Sequence, residues 1–336
     1  MEREILARFP GISCAYADAS GQVRTACFGF ADRETGVPVN ADVLFPACSI
    51  SKFVTALCLM KLHEAHIIDI DAPANACLRT WKLRTPEGRE SNASVRAIMC
   101  HTAGVTDGED AFYGLRQGGP EITLMDILEG RTAYNDRPAR AGKVPGDAFA
   151  YSDAGYCVLQ LLVEEATGKP FADAARELIF APMGLRSTFF ATPESIAAHH
   201  ARMATGYDGD DAPLPGRFPP CPDLAASGLW TTPEELVMLG RAFVSALHGE
   251  GSLLQPASAR EMASPVPAFP WTGLGLFISS EDILMSQGWG EHGQCMMKMN
   301  RRTRTVAAVM TNRNPEADQA ESGVERLMDS LLTQAE

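Results

Sequence analysis

Strand-like sequence lies at the two ends of this chain, with a long helical stretch between them, and that arrangement limits what it can fold into. Residues 12–17 and 23–30 are strand-like and flank the turn Asp18-Ala19-Ser20-Gly21, so they read as a hairpin. The strand pattern returns after residue 270, in 273–279, 294–300 and 305–311, and 321–334 closes the chain as a helix. A lone hairpin is not stable in water, so the two ends are expected to build one sheet. Residues 50–66, 94–100, 123–129, 155–167, 172–179 and 232–248 read as helices, and the Gly-, Pro- and Asp-rich 208–222 as a loop. The expected fold class is α/β (α+β), a central antiparallel sheet flanked by helices with a largely helical inserted subdomain. Residues 1–74 and 250–336 would form the sheet domain and 75–249 the helical subdomain, with the active site between them.

Composition narrows the function classes. The 336 residues, 46% hydrophobic and 21% charged, fit a soluble globular protein of one large or two joined domains. A formal charge of −13 argues against nucleic acid or an anionic membrane surface as partner. No run approaches the roughly 18 apolar residues of a membrane span. The N-terminal run Met-Glu-Arg-Glu-Ile-Leu-Ala-Arg-Phe-Pro lacks the apolar core of a secretory signal, so a cytoplasmic location is expected, an exported protein with its signal removed being the alternative. The nine cysteines are scattered without a Cys-x-x-Cys pair, which suits reduced thiols. No metal or cofactor is expected. His63 and His66 share a helix face without an evident third ligand, and Gly273-Leu274-Gly275 lacks the rest of a dinucleotide fingerprint.

Chemistry concentrates in Ser49-Ile50-Ser51-Lys52, where a helix begins. Residues three apart on a helix share a face, so the lysine amine can reach the serine hydroxyl. A desolvated lysine can give up its proton and then take one from serine. Alone, the spacing equally describes an N-cap serine followed by a solvated lysine. Tyr151-Ser152-Asp153 precedes the 155–167 helix. The tyrosine can relay protons, and Asp153 can hold the lysine or a substrate amide; the plainer reading is a Ser/Asp N-cap with a packing tyrosine. His292-Gly293-Gln294 leaves a Gly-rich turn for a strand, and an edge strand there can offer a backbone N–H to an oxyanion.

Taken in order, these segments resemble the serine β-lactamase-like superfamily, on the branch of class C β-lactamases, D-Ala-D-Ala carboxypeptidases and family VIII carboxylesterases. The run from Phe45 to Lys52 is similar to the nucleophile segment of that family, and Tyr151-Ser152-Asp153-Ala154-Gly155-Tyr156 to its tyrosine motif. Cys100-His101-Thr102-Ala103-Gly104, Ala181-Pro182-Met183-Gly184-Leu185 and Ala226-Ser227-Gly228-Leu229-Trp230 are also family-like. The resemblance implies an acyl-enzyme at Ser49, with Lys52 and Tyr151 as acid-base partners; which of the two takes the serine proton is left open. It puts Asp153 and His292-Gly293 at substrate-binding positions and the backbone N–H of Cys295 in the oxyanion hole.

Three departures stand out. Asp153 replaces an asparagine, Gln294 occupies a glycine position and would crowd the strand approach, and His292 replaces a lysine that would grip a carboxylate. They point away from an efficient β-lactamase and suit an esterase or amidase with an uncharged or unusual acyl group; the expected substrate is a small ester, amide or D-amino-acid peptide. An acyltransferase using the same acyl-enzyme, or a lapsed penicillin-binding-like protein, are the alternatives. Trp230, Trp271 and Trp289 are candidates for an acyl-pocket wall.

Overall fold

The computed structural model describes residues 3–142 and 144–336. One hydrogen-bonded sheet draws on both chain ends. Its strands are β1 (Gly11–Ala17), β2 (Val23–Asp32) and β3 (Val37–Pro38), with β7 (Phe277–Ile278), β8 (Ile283–Gly290), β9 (Gly293–Asn300) and β10 (Val306–Thr311). The order is β3-β2-β1-β10-β9-β8-β7, and every pairing is antiparallel. A second, three-stranded sheet, β4-β6-β5, joins β4 (Phe45–Cys48), β5 (Phe189–Phe190) and β6 (Leu229–Thr231).

Alternation along β9 divides the core. Met297 and Met299 face the main core, and Met296 faces the layer under the C-terminal helix, which it shares with Ile12, Val309, Leu327 and Met328. Both faces of β9 and β10 are therefore covered, and all their residues are buried. Residues that serve the site sit on helices α1 (Ser51–Glu64), α2 (Val95–Met99), α3 (Asp153–Thr167) and α4 (Leu224–Ser227). Their starts follow from local chemistry in two cases: Ser94 caps α2 and Ser152 caps α3 through side-chain oxygens.

Three expectations need correction. Residues 273–279 yield only the two-residue β7, while β8 arises in a stretch that does not read as a strand. Its Ser286-Gln287-Gly288 core has low strand propensity, and pairing with β9 overrides that. The C-terminal helix is broken at Gly323 (φ 91°) into α5 (Gln319–Ser322) and α6 (Val324–Ala335). Gln294 crowds no approach. It is wholly buried on the inner strand β9, where Nε2 donates to Ala317 O (2.6 Å) and Oε1 accepts from Ser322 Oγ (2.7 Å).

Gln294 therefore anchors α5 to the sheet. Gln294→Leu would leave the Ser322 hydroxyl and the Ala317 carbonyl without their partner, and a loss of about 1–3 kcal/mol is expected in urea unfolding.

Candidate active site

The chain turns sharply into α1. Cys48 holds a left-handed backbone (φ 44°) at the end of β4, and Ser51 Oγ locks the turn, donating to Cys48 O (2.6 Å) and accepting from Leu229 N (2.9 Å). Ser49 is left half-buried at the helix entrance. It is not the cap; Ile50 holds that position without a side-chain bond.

Lys52 is buried one turn on. Its Nζ donates to Ser49 Oγ (3.0 Å) and to Ala226 O of α4 (3.0 Å), and forms an ion pair with Asp153 Oδ1 at 2.5 Å. It also lies over the rings of Tyr151 (4.9 Å) and Tyr156 (5.5 Å). Burial alone would push the lysine pKa down. Asp153 and then Tyr151 outweigh it, so the amine is held above its ordinary range and carries a proton at neutral pH. Lys52 in the free protein is thus an ammonium, not the neutral base the motif by itself suggests.

Tyr151 is 40% exposed, and Lys52 Nζ lies 4.9 Å from the centre of its ring. Burial raises the phenol pKa, and the pull of Lys52 does not fully offset it. The ring stacks on His101 (4.3 Å between centroids, 28°). Burial, then Lys52, pushes His101 well below the usual imidazole range. Its Nδ1 accepts from Ser152 N (3.2 Å), which leaves the proton of the neutral ring on Nε2.

Sequence reasoning passed over Asp107. It accepts from Ser152 Oγ (2.7 Å), Asp153 N (2.7 Å) and Ala154 N (3.0 Å), fixing the entrance of α3 and with it Tyr151 and Asp153. Its position in a loop, without a motif around it, gave no signal.

The strand beside Ser49 is β8. The cleft of about 760 Å³ is lined by Ser49, Tyr151, Asp153, Phe277, Gln287, Gly288 and Trp289, among others. Gly288 passes so close to the segment before Ser49 that a Cβ there would lie 2.4 Å from Ala47 O and 2.6 Å from Cys295 Sγ. Because β7 pairs only as far as Met285, residues 286–290 keep a free outer edge.

Gly293 and Cys295 do not reach this cleft. An unforeseen strand stands between them and it: β9 is an inner strand, and Cys295 pairs with Gly288 on one side and Met310 on the other. Cys295 Sγ instead donates to Ala47 O (2.8 Å), beneath the segment that leads into Ser49. His292 lines a small side pocket with Cys48, Tyr113, Asp153, Trp289 and Glu291. Trp289 lines the cleft, Trp271 packs against Phe149 and Phe269, and Trp230 is buried against Phe218.

The beta-lactamase family model matches residues 1–330. The chain belongs to the beta-lactamase family. Among its relatives is esterase EstB of Burkholderia gladioli, 28% identical over 261 residues, 76% of this chain and 59% of the esterase. The aligned part thus spans less than two thirds of that relative. Two solved structures share the fold. D-amino acid amidase from Ochrobactrum anthropi SV3 superposes with a TM-score of 0.80 at 21% identity, covering 99% of this chain and 96% of the amidase. A penicillin-binding protein homologue from Pyrococcus abyssi gives 0.77 at 21% identity, covering 98% and 76%. Among the described residues no helix is long and apolar enough to cross a membrane.

Gly288→Ala would force the strand away from Ala47 O. An overpacking loss of about 1–3 kcal/mol is expected in thermal or urea unfolding.

Proposed function

We propose that this beta-lactamase-family protein is a serine hydrolase that forms an acyl-enzyme at Ser49 and acts on a small ester or amide. The observation that carries the reading is the Lys52 Nζ–Ser49 Oγ contact of 3.0 Å in a cleft closed on one side by Tyr151 and on the other by a free strand edge. An esterase and an amidase among the similar proteins support the reaction class.

In the proposed cycle Ser49 Oγ attacks the acyl carbonyl and its proton passes to the Lys52–Tyr151 pair. The oxyanion is met by backbone N–H groups, that of Ser49 and one from the 287–289 edge of β8, in place of Cys295. Tyr151, which lines the cleft with Ser49 and lies over Lys52, passes the proton to the leaving alcohol or amine. Water then attacks the acyl-enzyme and returns Ser49. His292 and Asp153 contact the substrate from the side pocket, and Gly293 and Cys295 support the nucleophile segment from below.

Intact-protein mass spectrometry after fluorophosphonate treatment tests the nucleophile. A single adduct on the wild type, absent from Ser49→Ala, is expected; equal labelling of both would overturn the assignment. The protonated states of Lys52 and Tyr151 set the pH dependence. Both pKa values are raised, so the free base grows only as pH rises, and kcat/KM for an uncharged ester should climb from neutral toward alkaline pH. A profile flat across that range would rule out this pair as the base.

A further inference from the structure

The side pocket beside the cleft, about 60 Å³, has room for a head group of a few atoms. Its walls are aromatic and acidic: Phe112, Tyr113, Tyr134 and Trp289 with Asp153 and Glu291. Among the described residues no lysine or arginine lines it; nearby Arg116 is taken up by Glu291 (2.7 Å). Behind the wall lies Asp223, wholly buried, with Oδ1 bonded to the Tyr134 hydroxyl (2.6 Å) and Oδ2 without a partner. His292 is 9% exposed and lines the pocket, and its Nδ1 has no partner either. Burial pushes this imidazole down to about 4, so it is neutral and can accept a hydrogen bond. The unused His292 acceptor, the aromatic faces and the exposed part of the Asp153 carboxylate are surroundings that suit an ammonium group.

Asp153 belongs both to this pocket and to the catalytic lysine. Its Oδ1 is covered and faces Lys52, while 21% of its side-chain surface stays exposed where it lines the cleft and the pocket. We propose that the pocket takes a protonated amine carried by the acyl donor, and that this amine pairs with Asp153 and so releases Lys52 from its ion pair. The proposal rests on the serine-hydrolase reading above and names its substrate class: amino-acyl esters and amides, whose amine stands next to the reacting carbonyl.

The electrostatics follow in sign. Asp153 and Tyr156 on α3 and Tyr151 before it contact Lys52, and its charge is also felt by Cys157 on α3, His101 after α2 and Asp223 before α4. Among them Asp153 is the leading influence that keeps the lysine protonated. A cation placed on that carboxylate cancels its pull and adds a like charge, and burial then favours the neutral amine. Lys52 loses one proton to the cleft water as the substrate binds. It takes a proton back from Ser49 Oγ when the acyl bond forms, and that proton leaves with the departing alcohol or amine. In the resting protein the same ion pair keeps Lys52 charged and Ser49 unactivated.

The test compares p-nitroanilides of alanine, in each hand, with that of propionic acid, which lacks only the amine. For the wild type, kcat/KM should favour one alanine substrate by about tenfold or more. In Asp153→Asn the ratio should fall close to one, and the acid limb for the propionyl substrate should move to lower pH. Glu291→Gln should reduce the preference without moving that limb. A second readout needs no turnover: the rate at which an uncharged fluorophosphonate labels Ser49. Added propylammonium should speed it in the wild type, and Asp153→Asn, its fold checked by thermal unfolding, should be fast without it and indifferent to it. Equal use of the two acyl groups by the wild type, or labelling that propylammonium leaves unchanged or slows, overturns the proposal while the serine reading stands. No labelling of Ser49 under any condition overturns both.

Discussion

A charged lysine inside the protein is the constraint around which the site is organised. Taking an ammonium out of water costs several kcal/mol even after relaxation, so Lys52 can stay buried only if its protons are met on several sides. They are met by Ser49 Oγ, Asp153 Oδ1, Ala226 O and two aromatic faces. These partners come from the turn before α1, from α3 and the loop before it, and from α4, so satisfying one side chain of α1 requires three helices to converge. Asp107 supports the arrangement at one remove, because the N–H groups it binds set where Asp153 enters α3.

The same ion pair ties stability to chemistry in opposite directions. It makes the buried charge tolerable, and it also holds the amine in the form that cannot accept a proton. An asparagine in place of Asp153 would accept a hydrogen bond from Lys52 without opposing its deprotonation. The aspartate therefore governs when the Lys52 amine can lose its proton. This gives the departure at position 153 a physical meaning that a motif comparison does not supply.

Strand placement decides which backbone groups face Ser49. β9 is apolar enough to read as a strand, and it lies inside the sheet with both ladders filled. β8 carries the free edge, and Gly288 is the point where the sheet can approach Ala47 and Cys48 closely. Edge strands are short of pairing partners and need less apolar sequence, so the strand next to the chemistry was the harder one to see. Assigning the oxyanion position to Cys295 followed from that one missing strand.

Local sequence determined the elements with strong periodicity or caps: the N-terminal hairpin, α1, the capped starts at Ser94 and Ser152, and the strands at 293–300 and 306–311. It also brought Ser49 and Lys52 within reach of each other, because three residues span one turn; Ser49 sits in the turn that enters the helix, not on the helix itself. Tertiary structure decided the rest. It set β8 between β9 and the cleft, turned Gln294 away to bind Ala317 and Ser322, made Asp107 the anchor of α3, and put the Asp153 carboxylate against the Lys52 amine. Those outcomes depend on burial and on contacts between residues far apart in the chain, and neither quantity is encoded in the spacing of a motif.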